Sequence, residues 1–109
     1  PLILNQKIHL PKIDKSYKSA LYNLPIIIKK NQKTRDKLSF FLQKKNIHTT
    51  IHYTPAHKHN FYKKKLIKNN LNNTDTLFET SLSLPFHNKL SFHDVDYICK
   101  QILKFFNEH

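Results

Sequence analysis

The sequence contains no glycine in 109 residues. Glycine enters the left-handed backbone region at no steric cost, and loops that approach phosphate groups closely depend on it. A glycine-rich phosphate-binding loop is therefore excluded within these residues. Left-handed turn positions must instead be taken by asparagine or aspartate, which tolerate that conformation next best. We predict that Asn46, which follows Lys44 and Lys45, stands where glycine usually ends a helix.

A chain of this length can form at most one domain with a single modest core. Its hydrophobic residues, 39% of the total, lie in short periodic runs, which argues against disorder. No apolar run approaches the roughly 20 residues that a membrane span needs, and no signal peptide is visible. Cys99 is the only cysteine, so an internal disulfide is impossible and a reducing, cytoplasmic location is expected.

The net charge of +12 favours a nucleic-acid or other polyanionic partner on composition alone. The alternative is that lysine simply fills exposed positions, since the lysines occur singly or in short groups. The chain has one arginine, Arg35, whereas proteins that read base sequence use arginine for bidentate contacts with bases. A basic polyanion-binding module therefore remains an alternative without a recognisable motif.

Three segments have the composition of strands. Residues 20–28 are aliphatic, and Pro25 places that strand at a sheet edge or marks its start. Residues 47–53 alternate, with His48, Thr50 and His52 on one face. Residues 81–84 also alternate and end at Pro85.

Helices are predicted between these strands. Thr34 is expected to cap a helix that begins at Arg35, with Asp36 in its first turn. Its apolar face comprises Leu38, Phe41 and Leu42. A helical turn is expected around residues 61–67, and Thr74 and Asp75 begin another short helix that carries Leu77 and Phe78.

The last helix has the strongest pattern. Ser91 is predicted to cap it, and Asp94 completes a pair that resembles a capping box. A continuous apolar stripe follows at helical spacing: Val95, Ile98, Cys99, Ile102, Leu103 and Phe106. Cys99 lies within this stripe, so we interpret it as a small buried hydrophobic residue and not as a nucleophile.

Alternating helices and strands predict an α+β fold, with a small sheet of about three strands and helices on one face. Residues 1–19 show little periodicity and are expected to form an extended connector from a preceding domain. Residues 20–109 would form the domain itself. The sheet face without helices suggests a unit that packs on another one.

The densest set of polar side chains is His52, Tyr53, His57 and His59, with Tyr62 close behind. Three histidines invite a metal site, but zinc usually takes four ligands and one thiol is available. A strand that ends at a proline and projects His and Tyr also suits a loop facing a polar substrate. A third interpretation is local packing at a strand end. No nucleophile, base and oxyanion site assemble within these residues.

The order of segments resembles the C-terminal domain of the DegT/DnrJ/StrS-type sugar aminotransferases from about residue 20 to the end. Three signatures occur in the family's order: Arg-Asp…Leu at 35–38, Ile-His-Tyr-x-Pro-x-His at 51–57, and Leu-Ser-Leu-Pro at 82–85. The closing helix follows them. Asn46 replaces the glycine that usually precedes the second strand.

The resemblance implies a fold-type-I aminotransferase and a homodimer. Such enzymes transfer an amino group from glutamate to a keto-sugar nucleotide through pyridoxal phosphate, for polysaccharide or glycan biosynthesis. The cofactor and its lysine would belong to a large domain outside this chain, so the chain alone would not be catalytic. The residues expected near the substrate are His57 and, as further candidates, His52, Tyr53 and Tyr62.

Overall fold

The computed structural model describes residues 7–65 and 70–109. In chain order the elements are strands β1 (Ile8–His9) and β2 (Leu24–Ile28), helix α1 (Gln32–Gln43), a 3-10 turn (Ala56–Lys58), helices α2 (Asn60–Lys63) and α3 (Asn72–Thr80), strand β3 (Ser81–Leu84) and helix α4 (Phe92–Glu108). The strands form one antiparallel sheet in the order β1-β2-β3. The predicted α+β class, with a small three-stranded sheet, is confirmed.

The third strand of the sheet is β1 and not the predicted strand at residues 47–53. Ile8 pairs with Ile28, within the segment expected to be a connector. Residues 47–53 instead run along the outer edge of β3 and make a single bridge, Thr50 to Ser83. Ile47 is buried there, whereas Tyr53 at the other end of the same predicted face is 70% exposed, so alternation predicted neither uniform burial of that face nor its ladder pairing.

Strand β2 lies in the centre of the sheet, so the edge position that Pro25 allowed is wrong, but the strand does start beside Pro25, at Leu24. Pro25 is paired with Ser83. The N–H and C=O of Ser83 both bond to Thr50, at 2.7 and 3.0 Å, so the Pro25–Ser83 pair is a non-hydrogen-bonded one. The missing N–H of Pro25 therefore costs this ladder no hydrogen bond.

The hydrophobic core joins one face of the sheet to the helices. Its buried residues are Ile8, Ile26, Ile28 and Leu82 from the strands, Leu38 and Leu42 from α1, Ile98, Ile102 and Phe105 from α4, and Ile47. Burial of each such side chain stabilises the fold by about 1.5–3 kcal/mol before the loss of entropy is counted.

Helix α1 begins three residues earlier than predicted. Asn31 is its N-cap, and the Asn31 side chain accepts a hydrogen bond of 3.0 Å from the Thr34 main-chain N–H. Thr34 is thus an N3 residue, and Asp36 lies beyond the first turn. Asn46 has a φ of 60°, which confirms that it adopts the left-handed conformation predicted for the position after the helix.

Helix α4 confirms its predicted capping box. The Ser91 side chain accepts from the Asp94 N–H at 3.1 Å, and the Asp94 carboxylate accepts from the Ser91 N–H at 2.9 Å. The buried stripe differs from the prediction, because Phe105 is buried and Val95 is 46% exposed. Val95 lies in the first turn of α4, which begins at Phe92.

The two short helices differ from prediction in their limits. The turn expected around residues 61–67 is α2, at Asn60–Lys63, and residues 66–69 lie outside the described part of the chain. Helix α3 begins at Asn72, so Asp75 lies in its first turn and Thr74 is not the cap. In the described residues no helix is long and apolar enough to cross a membrane.

Candidate functional site

His57 is held by a carboxylate from another element. It lies in the 3-10 turn that follows Pro55, and its Nε2 is 2.7 Å from Oδ1 of Asp75 in the first turn of α3. Lys58 Nζ lies 3.3 Å from the same oxygen. The side chains of His57 and Asp75 are 21% and 34% exposed, so the pair is only partly shielded from water.

The charge of Asp75 is favoured by these neighbours. Desolvation raises the pKa of the carboxyl, but hydrogen bonds and positive charge from His57 and Lys58 outweigh it, so the pKa lies below its ordinary value of 3.8. Asp75 is therefore a carboxylate at neutral pH, and it can only accept hydrogen bonds.

Contacts around Phe78 join this turn to α3 and α1. Lys58 Nζ lies 5.1 Å from the centre of the Phe78 ring and 3.8 Å from the Glu79 carboxylate. The Arg35 guanidinium lies 5.6 Å from the same ring. The sequence pattern marks Asp75 only as a helix start, because nothing local pairs it with a residue 18 positions away.

His52 lies in a second polar site. Its Nδ1 is 2.8 Å from the buried Ser83 hydroxyl and 3.5 Å from Nδ2 of Asn23. A cleft of about 250 Å³ opens beside it, lined by Tyr22, Asn23, His48, Thr50, His52, Ser83, Leu84, Pro85 and Phe86. His48, Thr50 and His52 share this cleft, as their predicted common face requires.

The two tyrosines proposed for substrate contact project outward. Tyr53 is 70% exposed and its ring makes an edge contact with His52 at 4.7 Å, across a cis peptide bond. Tyr62 is 44% exposed and packs edge-on against Phe61 at 5.1 Å. The cleft beside His52 is not lined by Tyr53, Tyr62 or His57 in the described part of the chain.

The histidines engage different partners. His59 Nε2 lies 3.2 Å from the Thr54 carbonyl, while His52 and His57 contact Ser83 and Asp75. Within residues 7–65 and 70–109 no three His, Cys, Asp or Glu side chains are placed to hold a metal ion. Cys99 is half-buried. Burial raises the pKa of its thiol, and the negative charge of Asp96 raises it further. Because the thiolate is the reactive form, Cys99 is a weak nucleophile.

The single arginine does not contribute to the positive charge at the surface. Arg35 is 1% exposed and its guanidinium bonds to main-chain carbonyls at the end of α3. It is therefore not available for contacts with bases or phosphates at the surface. The remaining charge comes from lysines, and those that the structure describes are exposed or half-buried.

Comparison with known proteins gives a consistent match. The model of the DegT/DnrJ/EryC1/StrS aminotransferase family matches residues 3–103. An uncharacterized protein of Methanocaldococcus jannaschii is 30% identical over an alignment of 103 residues that covers 91% of this chain and 27% of that protein. The UDP-4-amino-4,6-dideoxy-N-acetyl-beta-L-altrosamine transaminase of Campylobacter jejuni is 33% identical over 48 residues, 44% of this chain and 13% of that enzyme.

The fold agrees with this match. A solved structure of a DegT DnrJ EryC1 StrS aminotransferase from Brucella abortus has a TM-score of 0.79 and 29% identity to this chain. The similarity covers 95% of this chain and 27% of that structure. The chain thus spans about a quarter of the length of the Methanocaldococcus relative and of this structure.

Proposed function

Because the chain belongs to the DegT/DnrJ/EryC1/StrS aminotransferase family, we propose that it is the C-terminal small domain of a sugar-nucleotide aminotransferase. The whole enzyme would transfer an amino group from glutamate to a keto-sugar nucleotide. The observation that carries the proposal is the family match over residues 3–103 on a fold shared with a family structure. The transaminase activity of the Campylobacter relative on a UDP-amino sugar supports this substrate class.

The side chains of this chain do not fit the cofactor itself. A lysine that forms a Schiff base is activated by a desolvated pocket or a neighbouring cation, and no described lysine is buried. Pyridoxal phosphate, when bound, supplies the electron sink for amino transfer. In our proposal the large domain of the same polypeptide holds it, and residues 1–19 lead from that domain into the sheet through β1.

This chain would contribute hydrogen bonds to the substrate. His57 is the first candidate, with His52, Tyr53 and Tyr62 beside it along the segment. Imidazole and phenol groups donate to and accept from sugar hydroxyls and phosphate oxygens. The exposed Tyr53 and Tyr62 rings suit contact with a surface that this chain does not contain, either the large domain or a second subunit of a homodimer. A cytoplasmic location is consistent with the single cysteine. The role in polysaccharide or glycan biosynthesis rests on the family resemblance alone.

The test uses the full-length protein. We expect pyridoxal-type absorbance and glutamate-dependent amination of one member of a panel of keto-sugar nucleotides. The His57→Gln variant should raise KM for the sugar nucleotide about tenfold, since loss of one hydrogen bond to substrate is worth roughly this factor.

The matched control is His59→Gln, because His59 lies two residues away and bonds to the Thr54 carbonyl. Its KM should stay at the wild-type value. Absence of both the absorbance and the amination would overturn the proposal. Affinity for DNA or RNA that falls steeply with salt would instead support the polyanion-binding module.

A further inference from the structure

The contact between His57 and Asp75 has a chemical consequence for the imidazole ring. A neutral imidazole carries one proton, on either Nδ1 or Nε2, and the partner of each nitrogen decides which. Nε2 of His57 lies 2.7 Å from the Asp75 carboxylate, which can only accept. In the neutral ring the proton is therefore on Nε2, and Nδ1 carries the lone pair.

Nδ1 of His57 lies in a side chain that is 21% exposed. Among the residues that the structure describes, His57 makes one side-chain hydrogen bond, through Nε2. In the same residues the only buried side-chain nitrogen or oxygen without a partner is Oε1 of Gln101. Nδ1 of His57 has no hydrogen-bond partner among residues 7–65 and 70–109 and is not buried by them, so an approaching ligand can reach it.

The partners of the other histidines do not fix which ring nitrogen carries the proton. His52 contacts the Ser83 hydroxyl, which can donate or accept, so that contact leaves either tautomer available. His59 contacts a main-chain carbonyl but is exposed, so water competes for its ring. Asp75 is further anchored by Lys58, whose Nζ lies 3.3 Å from the same carboxylate oxygen.

We propose that Asp75 is a positioning residue that holds the Nε2 proton of His57 and presents Nδ1 as a hydrogen-bond acceptor to a hydroxyl group of the substrate. The inference rests on the proposed function, since it names the part that His57 plays toward a sugar nucleotide. A sugar ring offers hydroxyl donors, which match an acceptor nitrogen. Asp75 itself does not touch the substrate.

The first test reads the tautomer directly and needs no activity. The full-length protein is labelled with 15N-histidine, and long-range proton–nitrogen spectra above the imidazole titration distinguish a protonated Nε2 from a protonated Nδ1. We expect His57 to show the Nε2-protonated form alone. The Asp75→Ala variant should show a mixture, and Asp75→Glu should restore the single form at least in part.

Glu79→Ala is the matched control. Glu79 lies one turn after Asp75 on α3 and approaches Lys58 Nζ at 3.8 Å, and no hydrogen bond joins it to His57. Its His57 signal should equal that of the wild type. A Nδ1-protonated His57, or a spectrum that Asp75→Ala leaves unchanged, would overturn the proposal.

The second test separates positioning from structure by kinetics. Asp75→Ala should raise KM for the sugar nucleotide about tenfold with a smaller effect on kcat, as expected for a lost substrate hydrogen bond. In the His57→Gln background the same substitution should add no more than about twofold, because the two residues act as one unit. Equal effects in both backgrounds would show a general structural role and refute the proposal.

The two hypotheses fail in different ways. A wild-type protein without amination contradicts the proposed function, while the tautomer spectrum still reports on Asp75 and His57. A wild-type protein that aminates its substrate, with Asp75→Ala unchanged in tautomer and in KM, contradicts only the positioning role.

Discussion

The Arg35 guanidinium of α1 donates a hydrogen bond of 2.9 Å to the main-chain carbonyl of Phe78 in the last turn of α3. The same nitrogen lies 3.4 Å from the Ser81 carbonyl. Carbonyls at a helix end have no intrahelical partner, so Arg35 satisfies groups that burial would otherwise leave unpaired. It also fixes the position of α3, the helix that carries Asp75.

Replacement of Arg35 by methionine should therefore lower the free energy of unfolding by about 2–4 kcal/mol, because buried carbonyls lose a charged donor. Urea-induced unfolding measures the loss. Lys37→Met is the matched control, since Lys37 is exposed on the same helix, and it should change stability by less than about 0.5 kcal/mol. Equal losses for both variants would contradict the role of Arg35.

Two residues of the predicted apolar stripe on α4 should respond very differently to truncation. Ile102 is 1% exposed and Val95 is 46% exposed. Ile102→Ala should destabilise the fold by about 2–5 kcal/mol because it leaves a cavity, whereas Val95→Ala should cost less than about 1 kcal/mol. Thermal or denaturant unfolding of the Ile102→Ala and Val95→Ala variants measures the two losses of stability. A large loss at Val95 would show that a partner surface covers the start of α4.

The capping box at the start of α4 predicts both a stability change and a pH dependence. Ser91→Ala should cost about 1 kcal/mol, and Ser91→Thr should restore most of it because threonine also caps helices. Hydrogen bonds from the Ser91 side chain and main chain lower the pKa of Asp94 below 3.8.

A lowered pKa in the folded state means that Asp94 contributes stability above its unfolded pKa and loses it as the pH falls through the folded pKa. The stability difference between wild type and Asp94→Asn should therefore be largest near neutral pH and should shrink below about pH 4. Urea unfolding at several pH values measures it. A difference that stays constant down to pH 2 would refute the linkage.

Asn46 occupies a left-handed backbone position that glycine would usually take, and substitutions there test whether the backbone angle matters. Its φ of 60° lies in the left-handed region, which glycine adopts because it lacks Cβ and asparagine because its short polar side chain can hydrogen-bond locally. Asn46→Ala should destabilise the fold by about 1 kcal/mol, whereas Asn46→Gly should leave stability within a few tenths. Matched denaturation curves for the two variants check this, and equal effects would show that the backbone angle is not the determinant.

Several features followed from residues close together in the sequence. The capping box at Ser91, the left-handed Asn46 and the strand at residues 81–84 each depend on neighbours within four positions or on strict alternation. These predictions were confirmed because their physical causes are local.

The tertiary structure alone decided which segments pair and which groups meet. Sequence alternation favoured residues 47–53 as a strand, but β1 completes the sheet, and Thr50 makes only one bridge to Ser83. The contact of His57 with Asp75 spans 18 residues and has no local signature. Pairing and ionic contacts of this kind depend on how distant segments are brought together, and that is set by the shared core and not by local propensity.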